Sequence, residues 1–218
     1  MSYLALSFLL VSILFFIAFV VVSLFNHRRI HKMDYRLRNY FPYELNYRLK
    51  YKENFYGNMF FALFVISNIF FLIFFDQYHN DGYLIFALIA GAMLLIIIIL
   101  LIYVPLDKLR LFTTINAFLF VFSLALPAGI FLFNYFKFKQ TEQAINVVGM
   151  VLSLIGVLVV LILLANPKLS NWAKMDEQIN EDGSKQVIRP KYFVLAYSEW
   201  ILLFLFLYNE VVLLISTI

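Results

Sequence analysis

Leu94-Leu95-Ile96-Ile97-Ile98-Ile99-Leu100-Leu101 is an unbroken apolar run inside a longer uncharged stretch, Tyr83–Val104. A strand of a membrane β-barrel alternates apolar and polar residues, because one face meets lipid and the other the lumen. This run does not alternate. A helix needs about 20 apolar residues to cross about 30 Å of hydrocarbon, and Tyr83–Val104 has that length. The stretch predicts a transmembrane helix.

The same reading extends in both directions. Spans of about 3–25, 54–75, 83–104, 111–136 and 143–166 carry no charged residue, and a sixth, 192–216, carries only Glu199 and Glu210. The first span lacks a basic leader and a small-residue cleavage pattern, so it reads as a retained helix. Across 218 residues, 64% are apolar and 14% charged, with a mean hydropathy of +0.88. Soluble domains are about half apolar and a quarter charged. The composition excludes a disordered chain, a disulfide scaffold and an ordinary soluble fold. The predicted fold is an all-α integral membrane protein, residues 1–218 forming one bundle of six transmembrane helices.

Basic residues decide the orientation. The connection 26–53 holds eight Lys and Arg, 105–110 holds two and 167–191 holds five. The alternate connections, 76–82 and 137–142, hold only Lys137 and Lys139. Fifteen against two places the basic loops in the cytoplasm and both termini outside. Richness in Phe, Ile, Tyr, Asn and Lys suits an AT-rich bacterial genome, so the expected location is the bacterial cell membrane.

The first basic loop has its own pattern. Ile30, Met33, Leu37 and Phe41 fall at helical spacing, with Arg29, Lys32 and Arg36 on another face and Pro42 closing the pattern. This reads as an interfacial amphipathic segment whose cations meet anionic headgroups. The plainer reading is a loop that serves topology alone. No nucleic-acid-binding pattern accompanies the charge. In 167–191, Asp182-Gly183 is a turn signal that two short strands would flank.

Ionisable residues inside a span are costly and mark functional sites by default. Glu199 and Glu210 stand eleven positions apart. That separation is three turns plus about 20°, so they share a helix face, and it spans about 16 Å, so they do not share one ion. Asn209 adjoins Glu210, and Asn68, Asn134 and Asn146 lie at compatible depth. Asn58, Thr113, Thr114 and Asn116 lie near the level of Glu199. The candidate intramembrane site is therefore Glu210, Asn209, Asn68, Asn134 and Glu199. The competing reading makes these residues hydrogen-bonded joints between helices. Pro127 and Gly129 in the fourth span form a candidate hinge or a packed kink. Gly149, Ser153 and Gly156, and also Ala87 and Gly91, present small faces for close helix approach.

The chemistry otherwise consists of absences. The chain has no Cys, hence no thiolate ligand or nucleophile. His27, His31 and His79 lack partners at metal-ligand spacing, and no catalytic motif is present. No cofactor or metal is expected. Three functions remain open: a small transporter or the membrane component of a transport system, a non-transporting scaffold or regulatory subunit with a protein partner or a second copy, and, for want of a motif a distant third, a lipid-headgroup-modifying enzyme.

The orientation has a direct check. Single cysteines at Asp81 and Gln140 should react with an impermeant thiol reagent applied to intact cells, and cysteines at Arg38 and Asp182 should not. The opposite pattern reverses the topology.

Overall fold

A computed structural model describes residues 3–32, 35–46, 51–79, 82–170, 176–179, 185–188, 190 and 192–216. Six helices are long and apolar enough to cross a membrane: α1 Tyr3–His31, α2 Phe55–His79, α3 Ile85–Tyr103, α4 Leu109–Thr141, α5 Ala144–Leu164 and α6 Val194–Ile215. The chain is a multi-pass membrane protein. A short antiparallel hairpin, β1 Asp176–Ile179 with β2 Lys185–Ile188, interrupts the last connection, and Asp176 pairs with Ile188.

The helices outrun the hydropathy signal where polar residues continue the backbone ladder. α1 continues past Phe25 to His31 and stops where Lys32 takes a φ of 52°. α4 is 33 residues long, about 50 Å at 1.5 Å per residue, well beyond the hydrocarbon thickness. Its last turns carry Lys137 over the Phe133 ring at 5.9 Å and Lys139 over Tyr135 at 4.7 Å. Glu142, at φ 53°, ends the helix, and α5 begins two residues later.

The least apolar span is the most enclosed. α6 has a mean hydropathy of 1.8, against 2.1–3.3 for the other spans, yet 72% of that apolar stretch is buried, against 28–50% elsewhere. It packs on α4 and α5 along its length and also touches α1 and α3. A helix that is mostly enclosed meets little lipid, so polar residues on its inner face cost less than they would on a peripheral helix. Phe16 of α1 links the neighbouring elements, with ring centroids 5.2 Å from Phe64 of α2 and 6.0 Å from Phe204 of α6.

Small residues set the closest contacts. A Cβ at Gly129 would stand 3.0 Å from Ala87 Cα, and one at Gly156 would stand 3.0 Å from Pro127 Cβ and 2.9 Å from Asn209 Oδ1. α4 runs unbroken through Pro127. Pro127 and Gly129 therefore sit where α4 packs closely, against α5 and α3 respectively.

Of the amphipathic segment read over 26–41, residues 26–31 are helical as the end of α1, and the helical face does not continue to Phe41. The left-handed Lys32 ends α1, Leu37–Asn39 make a turn, and Pro42–Leu45 is a single 3₁₀ turn. Met33 lies outside the described residues. Phe41, read as part of a lipid-facing stripe, is fully buried instead, its ring 5.3 Å from Phe112 and 5.0 Å from Phe193. A tertiary aromatic pocket buries more apolar surface than an interfacial stripe and wins. Arg29, Lys32 and Arg36 remain exposed.

Gly129→Ala should lower the thermal midpoint in detergent, costing about 1–3 kcal/mol through overpacking against backbone. Gly91→Ala should hold or raise it, because its Cβ would meet Leu72 at 3.6 Å, an ordinary contact, and Ala is favoured over Gly in a helix by about 1 kcal/mol. Equal effects at both positions would contradict the close α3–α4 approach.

Candidate functional site

Two carboxyls sit inside the bundle. Glu199 is 0% exposed and Glu210 is 2% exposed, both on the central helix α6. Among the described residues, none of their four carboxyl oxygens has a hydrogen-bond partner. Burying a charged or polar group without a partner is among the costliest things a fold does. Each carboxyl nevertheless has a polar neighbour. Asn116 of α4 is the hydrogen-bonding neighbour of Glu199 and Asn68 of α2 that of Glu210, both in loose geometry, and Glu44 of the Pro42–Leu45 turn adds a like charge within electrostatic range of Glu199.

These neighbours are only partly satisfied. Asn68 Nδ2 donates to Ser12 Oγ of α1 at 3.3 Å, and Asn116 Nδ2 donates to Phe112 O at 3.1 Å. The carbonyl oxygen of each amide is buried without a partner. Asn209, beside Glu210, is fully buried and has neither amide atom paired. Ser123 Oγ of α4 and Ser198 Oγ of α6 are likewise buried and unpaired. Native interiors leave few such groups, and each calls for an explanation such as a bound water or ion.

The sequence-predicted residues divide accordingly. Glu210 and Asn68 come together. Asn209 lies next along α6 but is directed at α5, where Gly156 makes room for it. Asn134 belongs to a separate joint: its Nδ2 donates to Ser216 Oγ and to Ile130 O, both at 2.8 Å. Gly149 accommodates that pair, since a Cβ there would meet Asn134 and Ser216. Asn146 donates to Thr141 Oγ1 at 3.2 Å, and the Asn58 carbonyl oxygen accepts from Tyr103 OH at 3.2 Å. Thr113 and Thr114 are exposed and donate to carbonyls of their own helix. Of the residues expected at the Glu199 level, Asn116 is the one that faces it.

The part of the site that sequence reasoning missed is its cover. Residues 35–46 fold across the basic end of the bundle and reach the start of α6. Phe193 N–H donates to Arg38 O at 2.9 Å, and Trp200 Nε1 donates to Tyr40 O at 3.0 Å. Arg38 stacks on the Tyr192 ring at 5.0 Å. Tyr35 OH donates to Phe41 O at 2.6 Å, and Glu44 Oε2 accepts from Phe41 N–H at 2.7 Å. Asn54 anchors the other side of the cover. It donates to Ser23 Oγ at 3.0 Å and to Asn46 Oδ1, and its own Oδ1 accepts from Asn26 at 3.0 Å. His27 is buried against Tyr35, with ring centroids 5.3 Å apart. Among the described residues, no three acidic or imidazole side chains gather to hold a metal ion.

Comparison with known proteins finds no matching family model, no similar curated protein and no similar solved structure.

The cover can be loosened at one bond. Trp200→Phe keeps the ring but removes the donor to Tyr40 O, at a cost of about 1 kcal/mol. Limited proteolysis within 35–46 should speed up severalfold while the rest of the bundle stays resistant. An unchanged cleavage rate would mean that this bond does not hold the segment down.

Proposed function

We propose that this chain is a small membrane transporter, or the membrane component of a transport system, in which the central helix α6 passes a proton or small cation between Glu199 and Glu210. The observation that carries the reading is the burial of two carboxyls with unpartnered oxygens in the helix least exposed to lipid. The Asn134–Ser216 joint is closed by a bond of 2.8 Å across the helix interface, although Asn134 Oδ1 stays unpaired. Glu199 and Glu210 each have one amide neighbour, Asn116 and Asn68, and in this reading a mobile partner completes the set. The spacing of about 16 Å along the helix makes them successive stations rather than one site.

In this reading the chain lies in the bacterial cell membrane with its basic loops in the cytoplasm and both termini outside. The exposed Arg29, Lys32 and Arg36 meet anionic headgroups there.

A second reading, a scaffold or regulatory subunit, draws on one feature. An open apolar groove of about 430 Å³ runs between α2 and α3, lined by Leu72, Ile73, Ile85 and Leu88, with Asp76 among the residues of its wall. A ridge of side chains from a neighbouring membrane helix fits such a groove. Under this reading Ala92→Trp, which fills the groove, would change the assembly state and the carboxyl substitutions would not.

The test is flux in proteoliposomes under an imposed membrane potential, followed with a pH-sensitive dye and with radioactive sodium. The purified protein should carry one of the two ions faster than empty vesicles. Glu210→Gln, which keeps size and hydrogen-bonding capacity, should reduce the rate about tenfold or more, equivalent to about 1.4 kcal/mol or more on the barrier, with the melting temperature little changed. Wild-type flux equal to that of empty vesicles, or full flux in Glu210→Gln, would overturn the transport reading.

A further inference from the structure

The open groove of about 430 Å³ between α2 and α3 has a shape and a charge that together describe its occupant. Leu72 and Ile73 of α2 and Leu88, Ile89 and Ala92 of α3 line it, with Asp76 of α2 in the same wall. The two helices meet at Leu72 and Gly91, where a Cβ on the glycine would stand 3.6 Å from Leu72 Cδ2. From there the groove runs toward the end of α2 and the start of α3, where Ile85 also lines it. Along α3, Ile85 to Ala92 rises about 10 Å at 1.5 Å per residue. One leaflet holds about 15 Å of hydrocarbon, half of the full thickness. The groove is therefore confined to one leaflet. A helix that crosses the whole membrane would leave most of its length outside such a groove, whereas a single acyl chain matches its depth.

The mouth of the groove lies at headgroup level. Tyr83, two positions before Ile85, stacks on Phe136 of α4 with ring centroids 4.4 Å apart, and tyrosine favours the membrane–water interface. Asp76 is exposed there, one turn beyond Leu72 on the same face of α2. The connections 76–82 and 137–142 contain only two basic residues, Lys137 and Lys139. Both are engaged on rings of their own helix, Lys137 over Phe133 and Lys139 over Tyr135. Among the described residues no cation of the chain pairs with Asp76. An occupant that complements this site is apolar along its length and cationic at its head. A primary ammonium adds N–H donors, which make the stronger, charge-assisted bonds to a carboxylate.

We propose that the groove between α2 and α3 binds a phospholipid with a primary-amine headgroup, one acyl chain lying along Leu72, Leu88 and Ile89 and the ammonium meeting Asp76. The site is independent of the transport reading. It places a lipid where the scaffold reading places a neighbouring helix.

The test compares phosphatidylethanolamine with phosphatidylcholine of identical chains, added to the purified protein in detergent and counted as retained lipids by native mass spectrometry. Both lipids are net neutral, so the exposed Arg29, Lys32 and Arg36 do not sort them. They differ in the methyl groups that remove the N–H donors. The wild type should retain the ethanolamine lipid about threefold more strongly. Asp76→Asn, at an exposed position, should bring its retention down to that of the choline lipid with the thermal midpoint unchanged. Ile89→Trp should fill the groove and lower retention of both, and Ala92→Trp tests the same point from the other end of the groove. Equal retention of the two lipids by the wild type would overturn the proposal, as would a preference that survives Asp76→Asn. A lipid-free dimer that Ile89→Trp dissociates would overturn it in favour of a second copy of the chain.

Discussion

Hydrocarbon offers no hydrogen bonds, so each polar group carried into a membrane must find its partner inside the protein or in something the protein admits. That constraint explains most of this structure. Other spans return hydroxyls to their own backbone, as Thr113, Thr114 and Ser153 do, and bury amides such as Asn68, Asn116 and Asn134. The two buried acids lie on α6, the span with the largest buried share. At the Ser216 end Asn134 Nδ2 meets it with two bonds of 2.8 Å, leaving its Oδ1 unpaired. At Glu199, Asn209 and Glu210 it is not, and those positions are where function is to be sought.

The packing that encloses α6 is built from two materials. Phenylalanine fills the space between α1, α2 and α6, as in the Phe16, Phe64 and Phe204 cluster. Small residues bring α3, α4 and α5 into close approach at Gly129 and Gly156. Gly156 does more than admit Pro127: it leaves the room in which Asn209 lies. At the basic end the same logic closes the bundle with residues 35–46, whose Phe41 replaces a water-facing loop with an aromatic plug between α4 and α6. The carboxyl of Glu199 is thus sealed from the basic end by a segment held through Phe193, Trp200 and Tyr35.

The six spans were legible in the sequence because continuous apolar runs report lipid contact directly. Helix ends were not, since hydropathy falls where lipid ends while backbone hydrogen bonds continue, as α1 shows from Asn26 to His31. Depth along each span was also legible, and Asn116 neighbours Glu199 while Asn68 neighbours Glu210. Depth fixes height and says nothing about azimuth, which is why Asn134 and Asn146 belong to other joints. The cover was misread because the spacing of Ile30, Leu37 and Phe41 fits a helix that tertiary contacts at Phe112 and Phe193 forbid. Its key bonds run to the backbone carbonyls of Arg38 and Tyr40, and a backbone acceptor leaves no mark in sequence.

The central claim is that the unpaired polar groups on α6 are met by water or ions that enter the bundle. The chain has no native cysteine, so one introduced thiol reports alone. Asn209→Cys places it at a fully buried position, and Phe204→Cys places it on a face of the same helix that is 46% exposed on the bundle's surface. The account predicts that a small, charged methanethiosulfonate reagent modifies Cys at 209 in intact membranes and leaves Cys at 204 in lipid unmodified, because only the interior position meets water. A thiol at 209 that stays inert, when denaturation shows it to be intact, would mean a dry core and would contradict the account.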